Sequence, residues 1–186
     1  MARPLVGLLG RSRAGKDTVG ARLVERHGYV RYAFGDNVRR LALAIDPLVD
    51  VSFDGERLGE LVNACGWESA KQFPEVRRFL QRLATEAVRE IDPYFWIRPV
   101  MDDVEADIRG VVITDVRFHN EAEAIRRAGG LLVRVIRPDL PPDPHVSENE
   151  LLDRATDYEI RNDAGLDFLT GQTDWLAGLI SRRFGK

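Results

Sequence analysis

Gly10, Gly15, Lys16, Asp17 and Thr18 follow directly on the apolar run Leu5–Leu9. That spacing suits one kind of chemistry. Gly10 and Gly15 let the backbone curl until successive N–H groups point inward at an anion, with Arg13 and Ala14 carried on the same turn. A helix that opens at Lys16 presents its free N–H groups and the positive end of its dipole. Lys16 adds a mobile charge that can reach two neighbouring phosphates. The whole is the order of a phosphate-binding P-loop: strand, glycine-rich turn, lysine. It departs from the usual form at Asp17, which stands where a Ser or Thr ordinarily meets Mg²⁺. Either Asp17 or Thr18 serves the metal, and the sequence does not decide which.

A second acid belongs to the same chemistry. Val111–Thr114 is an apolar strand that runs into Asp115. An acid at that strand end holds Mg²⁺ directly or through water in P-loop enzymes; the plain alternative is a capping aspartate. Arg117, two residues on, could reach a phosphate or pair with Glu121.

A third cluster lies on a helix. Over Pro74–Ile91 the apolar residues Val76, Phe79, Leu80, Leu83, Ala84, Ala87, Val88 and Ile91 recur at helical spacing. On the other side Arg78, Arg82, Thr85 and Arg89 fall at steps of four, three and four, which places them on one face. Arginine grips phosphate with paired hydrogen bonds. The alternative is a solvated basic face, partly neutralised by Glu75 and Glu86.

Other residues carry weaker signals. His145, in a proline-rich loop, reads as a surface or hinge residue, or as a lid contact. His27 and His119 read as helix-end residues. Cys65 reads as a small buried apolar group. Trp67 and Trp96 read as core, with base stacking the alternative, and Trp175 reads as core.

Composition bounds the function. A chain of 186 residues is one domain, with room for inserted lobes. Its formal charge of −3 argues against binding a nucleic-acid polymer through bulk positive charge, so anions must be held by local arginines. A single cysteine allows no internal disulfide and no cysteine-rich metal site, which fits a reducing, cytoplasmic setting. No apolar run has the length of a membrane span, and Leu5–Leu9 is too short for a signal peptide.

Strands and helices alternate. Strands are expected at Leu5–Leu9, Tyr29–Phe34, Val111–Thr114, Leu131–Ile136 and Tyr158–Arg161. Helices are expected at Lys16–His27, from a cap at Asp36 to Ile45, near Glu56–Ala64, at Pro74–Ile91, at Phe95–Asp107, from an Asn120–Glu123 capping box to Ala128, after a Ser147–Glu150 box, and at Leu166–Phe184. The pattern predicts an α/β fold: a five-stranded parallel sheet with helices on both faces, three layers in all. Ligands then gather at the carboxyl ends of the strands.

These motifs in order resemble the phage-type deoxynucleoside monophosphate kinases, P-loop nucleoside monophosphate kinases in the broad sense. They are the P-loop Gly10–Thr18, then Phe34-Gly35-Asp36 with Arg39, then Leu80-Gln81-Arg82-Leu83-Ala84-Thr85-Glu86 with Arg89, then Thr114-Asp115-Val116-Arg117-Phe118-His119-Asn120-Glu121, and last His145-Val146-Ser147-Glu148. The resemblance runs from about residue 5 to about residue 165. It implies a P-loop kinase fold with a core over 1–34 and 101–186, an inserted monophosphate-binding lobe over 35–100 and a short lid near 137–151. It implies that Gly10–Thr18 holds the β-phosphate of ATP and that Lys16 bridges donor and acceptor. Asp36, Arg39, Gln81, Arg82, Thr85, Glu86 and Arg89 would line the deoxynucleotide site. Arg117 would clamp the acceptor phosphate near Asp115 and Mg²⁺, Arg137 would act from the lid, and adenine would rest by Asn162. Ala84 departs from the glycine expected in that pattern, which bears on base preference.

The implied reaction is ATP + dNMP → ADP + dNDP, by direct in-line transfer with broad base range. Lys16, Arg117, Arg137 and Mg²⁺ would neutralise the moving charge. The alternatives are a P-loop kinase of another small phosphorylated metabolite, and a nucleotide-dependent switch or ATPase that acts on a protein. No residue points to an oligomeric state; related kinases leave a homodimer open. The expected location is cytoplasmic, the host cytoplasm if the chain is phage-encoded.

Overall fold

A computed structural model of the protein describes residues 3–51, 54–141, 150–151 and 153–185. Along the chain run β1 (Leu5–Leu9), α1 (Lys16–His27), β2 (Val30–Tyr32), α2 (Phe34–Ile45), β3 (Leu48–Val49), β4 (Glu56–Arg57), α3 (Leu58–Ala70) and α4 (Pro74–Gln81). A π-helical turn (Arg82–Ala87) and α5 (Val88–Ile91) come next, then α6 (Ile97–Ala106), β5 (Val111–Val116), α7 (His119–Arg127), β6 (Leu131–Ile136), β7 (Tyr158–Arg161) and α8 (Leu166–Arg183). Two compact units result. One is Met1–Phe34 with Ile97–Lys186, the other Gly35–Trp96.

The first unit is built on a five-stranded sheet in the order β2-β5-β1-β6-β7. Every pairing in it is parallel. Parallel strands need helical crossovers, and the crossovers cover both faces. The period-two alternation of β1 decides what each face buries. Val6 and Leu8 join Val19 and Leu23 of α1 and Leu176 and Ile180 of α8 in one core. Leu5 and Leu9 join Val100 and Val104 of α6 and Ala122 and Ile125 of α7 in the other. Gly7 is small for a reason: a Cβ there would stand 2.6 Å from Cδ1 of Ile125. The layers are therefore helix, sheet, helix.

The second unit packs Ala42, Val49, Leu58, Leu61, Ala70 and Val76 into a core of its own. The antiparallel β3–β4 pair stands where only loop was expected. Two-residue strands carry no period to read. α3 is broken at Gly66 (φ 75°, ψ 163°), so its first stretch ends close to the short helix expected near Glu56–Ala64. Asp46 closes α2 in a left-handed conformation, φ 46°, and its Oδ1 accepts the Gly59 N–H at 2.7 Å.

Several expectations need correcting. The second strand is only Val30–Tyr32, because Phe34 opens α2, and Asp36 sits inside the first turn of that helix instead of capping it. The helix expected at Phe95–Asp107 runs only over Ile97–Ala106, with Pro99 in its first turn, where the missing N–H costs nothing. Cys65 is exposed. Trp175 is 59% exposed and Ile91 88% exposed, so neither is core. His145 and Ser147 lie outside the described residues.

Candidate functional site

The loop between β1 and α1 is set by two glycines that nothing else could replace. Gly10 has φ 138°, and a Cβ on it would stand 2.3 Å from the carbonyl oxygen of Val135. Gly15, with φ 110°, caps α1 in the left-handed region. Arg13 also takes a left-handed turn, φ 63°, which costs a non-glycine residue about 1–2 kcal/mol. The Ala14 N–H donates to the Arg11 carbonyl at 3.1 Å and tightens the curl. Strain is held at the loop, where backbone N–H groups must point inward.

Lys16 closes the loop on itself. Its Nζ donates to the carbonyls of Gly10 at 2.7 Å and Arg11 at 2.8 Å. An ammonium has three donors, so one remains for a ligand. Lys16 is only 7% exposed. Burial lowers its pKa to about 8, and Arg117 pushes the same way, while Asp17 and Asp115 pull it back up. Lys16, Arg117, Asp17 and Asp115 are therefore one electrostatic cluster, all in the first unit.

Asp115 lies within β5, not at its end. Gly7 pairs with Ile113, but Leu9 pairs with Val116, so β5 carries one extra residue at Thr114–Asp115. A bulge re-aims a side chain, and bulges gather beside active sites. Oδ1 of Asp115 accepts the Phe34 N–H at 2.9 Å and so fixes the start of α2. The capping alternative for this acid is thus real. It does not use up the carboxylate, whose charge still acts on Lys16.

Glu121, offered by the sequence as a side-chain partner of Arg117, holds its backbone. Oε2 of Glu121 accepts the N–H groups of both Arg117, at 2.7 Å, and Phe118, at 3.1 Å. Glu121 is 2% exposed. The expected Asn120–Glu123 box is therefore corrected: Glu121 reaches back over the start of α7, and Glu123 pairs with Arg127 and Arg154 at 3.2 Å each. The helix is capped at Phe118, ahead of Asn120.

Asn162 stands directly behind the loop. Its Nδ2 donates to the Ala14 carbonyl at 2.9 Å, and its N–H donates to the Ile136 carbonyl at 2.7 Å. A side chain read for adenine is also a strut of the phosphate loop. Only a tertiary fold brings two residues so far apart in sequence together, so no local signal could have disclosed it. Arg137 is exposed just beyond β6.

The remaining candidates lie in the second unit. Asp36 and Arg39 form an ion pair at 3.0 Å. Arg78 stands 3.7 Å from Glu75, and Arg82 3.8 Å from Glu86. Their guanidinium groups stay largely open, with side chains 69% and 72% exposed. The single face expected for Arg78, Arg82, Thr85 and Arg89 is broken by the π-turn Arg82–Ala87. One inserted residue rotates the helix beyond it by about 100°. Arg89, beyond the turn, is half-buried. Gln81, Thr85 and Ala84 are half-buried, Glu86 exposed.

A metal that bridges phosphates prefers hard oxygen ligands and keeps most of its water. Among the described residues no cluster of three His, Cys, Asp or Glu could cage a metal alone. The two carboxylates that act on Lys16, Asp17 and Asp115, supply hard oxygens of the kind that could hold Mg²⁺ together with phosphate and water.

Comparison with known proteins bears on the family and the fold. The family model described as deoxynucleotide monophosphate kinase matches residues 59–172. A protein of Acanthamoeba polyphaga mimivirus, named provisionally for the same activity, is 29% identical over 163 residues, 79% of this chain and 81% of its own length. The deoxynucleotide monophosphate kinase of Enterobacteria phage T4 is 30% identical over 100 residues, 50% of this chain and 42% of that protein. Among solved structures, a gluconokinase from Sinorhizobium meliloti 1021 superposes with TM-score 0.53 at 12% identity, covering 98% of this chain and 97% of its own. That likeness speaks for the three-layer P-loop kinase fold alone.

Proposed function

Because the chain belongs to the deoxynucleotide monophosphate kinase family, we propose that this kinase transfers the γ-phosphoryl group of ATP to deoxynucleoside monophosphates of several bases. The observation that carries the reading is the buried Lys16, closed onto Gly10 and Arg11 and balanced by Asp17 and Asp115. A charge held that way is costly unless a phosphate meets it.

The donor belongs to the first unit. The N–H groups of Gly10–Thr18 and the N-terminus of α1 take the β-phosphate, and the third Lys16 proton turns to the γ-phosphate. Asp115 and either Asp17 or Thr18 would hold Mg²⁺, directly or through water. When bound, Mg²⁺ supplies charge neutralisation across the phosphate oxygens. Asn162 keeps the loop rigid from behind and lies on the side where adenine would rest. Arg137, from the lid segment, adds positive charge over the donor.

The acceptor is recognised by residues of the second unit: Asp36, Arg39, Arg78, Gln81, Arg82, Thr85, Glu86 and Arg89. Arg117, held by Glu121, clamps the acceptor phosphate. That phosphate is already a nucleophile, so no side chain needs to take a proton. The protein aligns the reactants and spreads their charge.

The test is ADP release with ATP and Mg²⁺ and each of dAMP, dGMP, dCMP, dTMP, AMP and GMP. Turnover with two or more deoxynucleotides supports the reading and fixes the base range. Background hydrolysis with all six overturns it and points to another phosphorylated acceptor or a protein partner.

A further inference from the structure

The arginine-bearing helix of the second unit is not one helix. Pro74–Gln81 is α-helical, Arg82–Ala87 is π-helical, and Val88–Ile91 is α-helical again. At the end of the wide turn the Val88 N–H donates to the Leu83 carbonyl, five residues back. A return to bonding four residues back then leaves one carbonyl that no helical N–H reaches. The next carbonyl in line is that of Ala84. The indole N–H of Trp96 donates to it at 3.0 Å. Trp96 is 1% exposed and meets the Phe95 ring edge-on, with centroids 4.8 Å apart, so this donor is held in place.

We propose that Trp96 is a positioning residue for the phosphate acceptor: its bond to Ala84 holds the π-turn, and the π-turn sets where Arg82, Thr85 and Glu86 point. This rests on the proposed acceptor site. A wide turn packs less well than an α-helix and persists only where its surroundings fix it. Here it spans three of the residues proposed to touch the acceptor, with Gln81 just before it and Arg89 just after. Relaxation to α-helix would shift the register by one residue and rotate these side chains by about 100° relative to Arg78. It would also leave the Trp96 indole N–H without its acceptor in a dry place. The indole therefore acts as a pin on helix register, and the acceptor reads that register.

Two variants of the full chain test this. Trp96→Phe removes the donor and keeps an aromatic ring. Deletion of Ala84 removes the inserted residue and restores α-helical bonding through the segment. Each is expected to raise KM for the deoxynucleotide at least tenfold while the Kd of ATP, measured by calorimetry, stays within twofold. In the Ala84-deleted chain, Trp96→Phe is expected to add no further loss, because the carbonyl it served is gone. If Trp96→Phe does not fold, the deletion decides alone. A deoxynucleotide KM within twofold of wild type in the deletion variant overturns the proposal, and so does equal loss of ATP and deoxynucleotide binding. A wild-type chain that phosphorylates no deoxynucleotide overturns the acceptor reading and this proposal together, and is seen before any variant is made.

Discussion

The Lys16 ammonium donates to the Gly10 carbonyl at 2.7 Å, so the side chain proposed to grip phosphate is also the bolt that closes its own loop. The two duties oppose each other energetically. Burial moves the Lys16 pKa from its ordinary value down to about 8, which makes the charged form roughly 3 kcal/mol less favourable than in water. The folded chain carries that cost until an anion arrives.

Replacing Lys16 by Met should therefore cost activity and not stability. The unfolded chain holds this proton more tightly than the folded one, so Lys16 opposes folding below about pH 8, and the opposition fades as pH rises toward the ordinary lysine range. At pH 7 the Lys16→Met protein should melt no lower than wild type, while turnover falls by about 10²–10³. Calorimetry and the ADP-release assay read the two quantities separately. Near-normal turnover would remove Lys16 from the reaction.

The same shift should set a pH limit on the proposed ATP binding. Phosphate needs the charged lysine, and the free enzyme begins to lose that charge near pH 8. ATP affinity should be level below that pH and fall by up to about tenfold per pH unit above it, with proton uptake on binding near pH 8. Titration calorimetry in buffers of different ionisation heat measures both. Affinity constant to about pH 9.5 would contradict a buried, phosphate-facing Lys16.

What the sequence disclosed and what it did not divide along physical lines. β1, α1, β6 and β7 were legible because apolar runs and glycine stops are local signals. The P-loop was legible for the same reason. The π-turn was not, because Pro74–Ile91 keeps a helical apolar rhythm, and Trp96, whose indole N–H bonds the Ala84 carbonyl, lies beyond that stretch. The exposure of Trp175 and Cys65 was not either: residue type gives an average fate, and the packing of α8 and α3 gave these two a different one. Asn162 behind the loop and Phe34 on Asp115 are long-range contacts that no spacing rule reaches.

Glu121 should matter through Arg117. A buried carboxylate that accepts two N–H groups at the start of α7 is also favoured by the helix dipole. Both bonds go to Oε2, so Glu121→Gln keeps an acceptor and should lose roughly 1 kcal/mol, whereas Glu121→Ala leaves two donors unmet and should lose roughly 2–4 kcal/mol. If Glu121 only staples the helix, kcat of the folded Gln variant should match wild type. A kcat lowered about tenfold with the Kd of ATP unchanged is the expected result, since Arg117 would sit slightly off the acceptor phosphate.

Asp115→Asn separates the two duties of that residue. The amide oxygen can still accept the Phe34 N–H, so α2 keeps its start and the melting temperature should move by no more than a few degrees. The charge is lost, and with it one of the two influences that hold the Lys16 pKa up. Two consequences should appear together. The Mg²⁺ concentration for half-maximal activity should rise about tenfold or more, as for a lost hard-oxygen ligand or a lost holder of its water. The pH at which ATP affinity begins to fall should move lower than in wild type, because Lys16 gives up its proton more readily without the neighbouring carboxylate. A variant with wild-type Mg²⁺ demand and an unmoved pH limit would leave Asp115 as the cap of α2 and nothing more, and the second metal-facing oxygen would then have to be sought at Asp17 or Thr18.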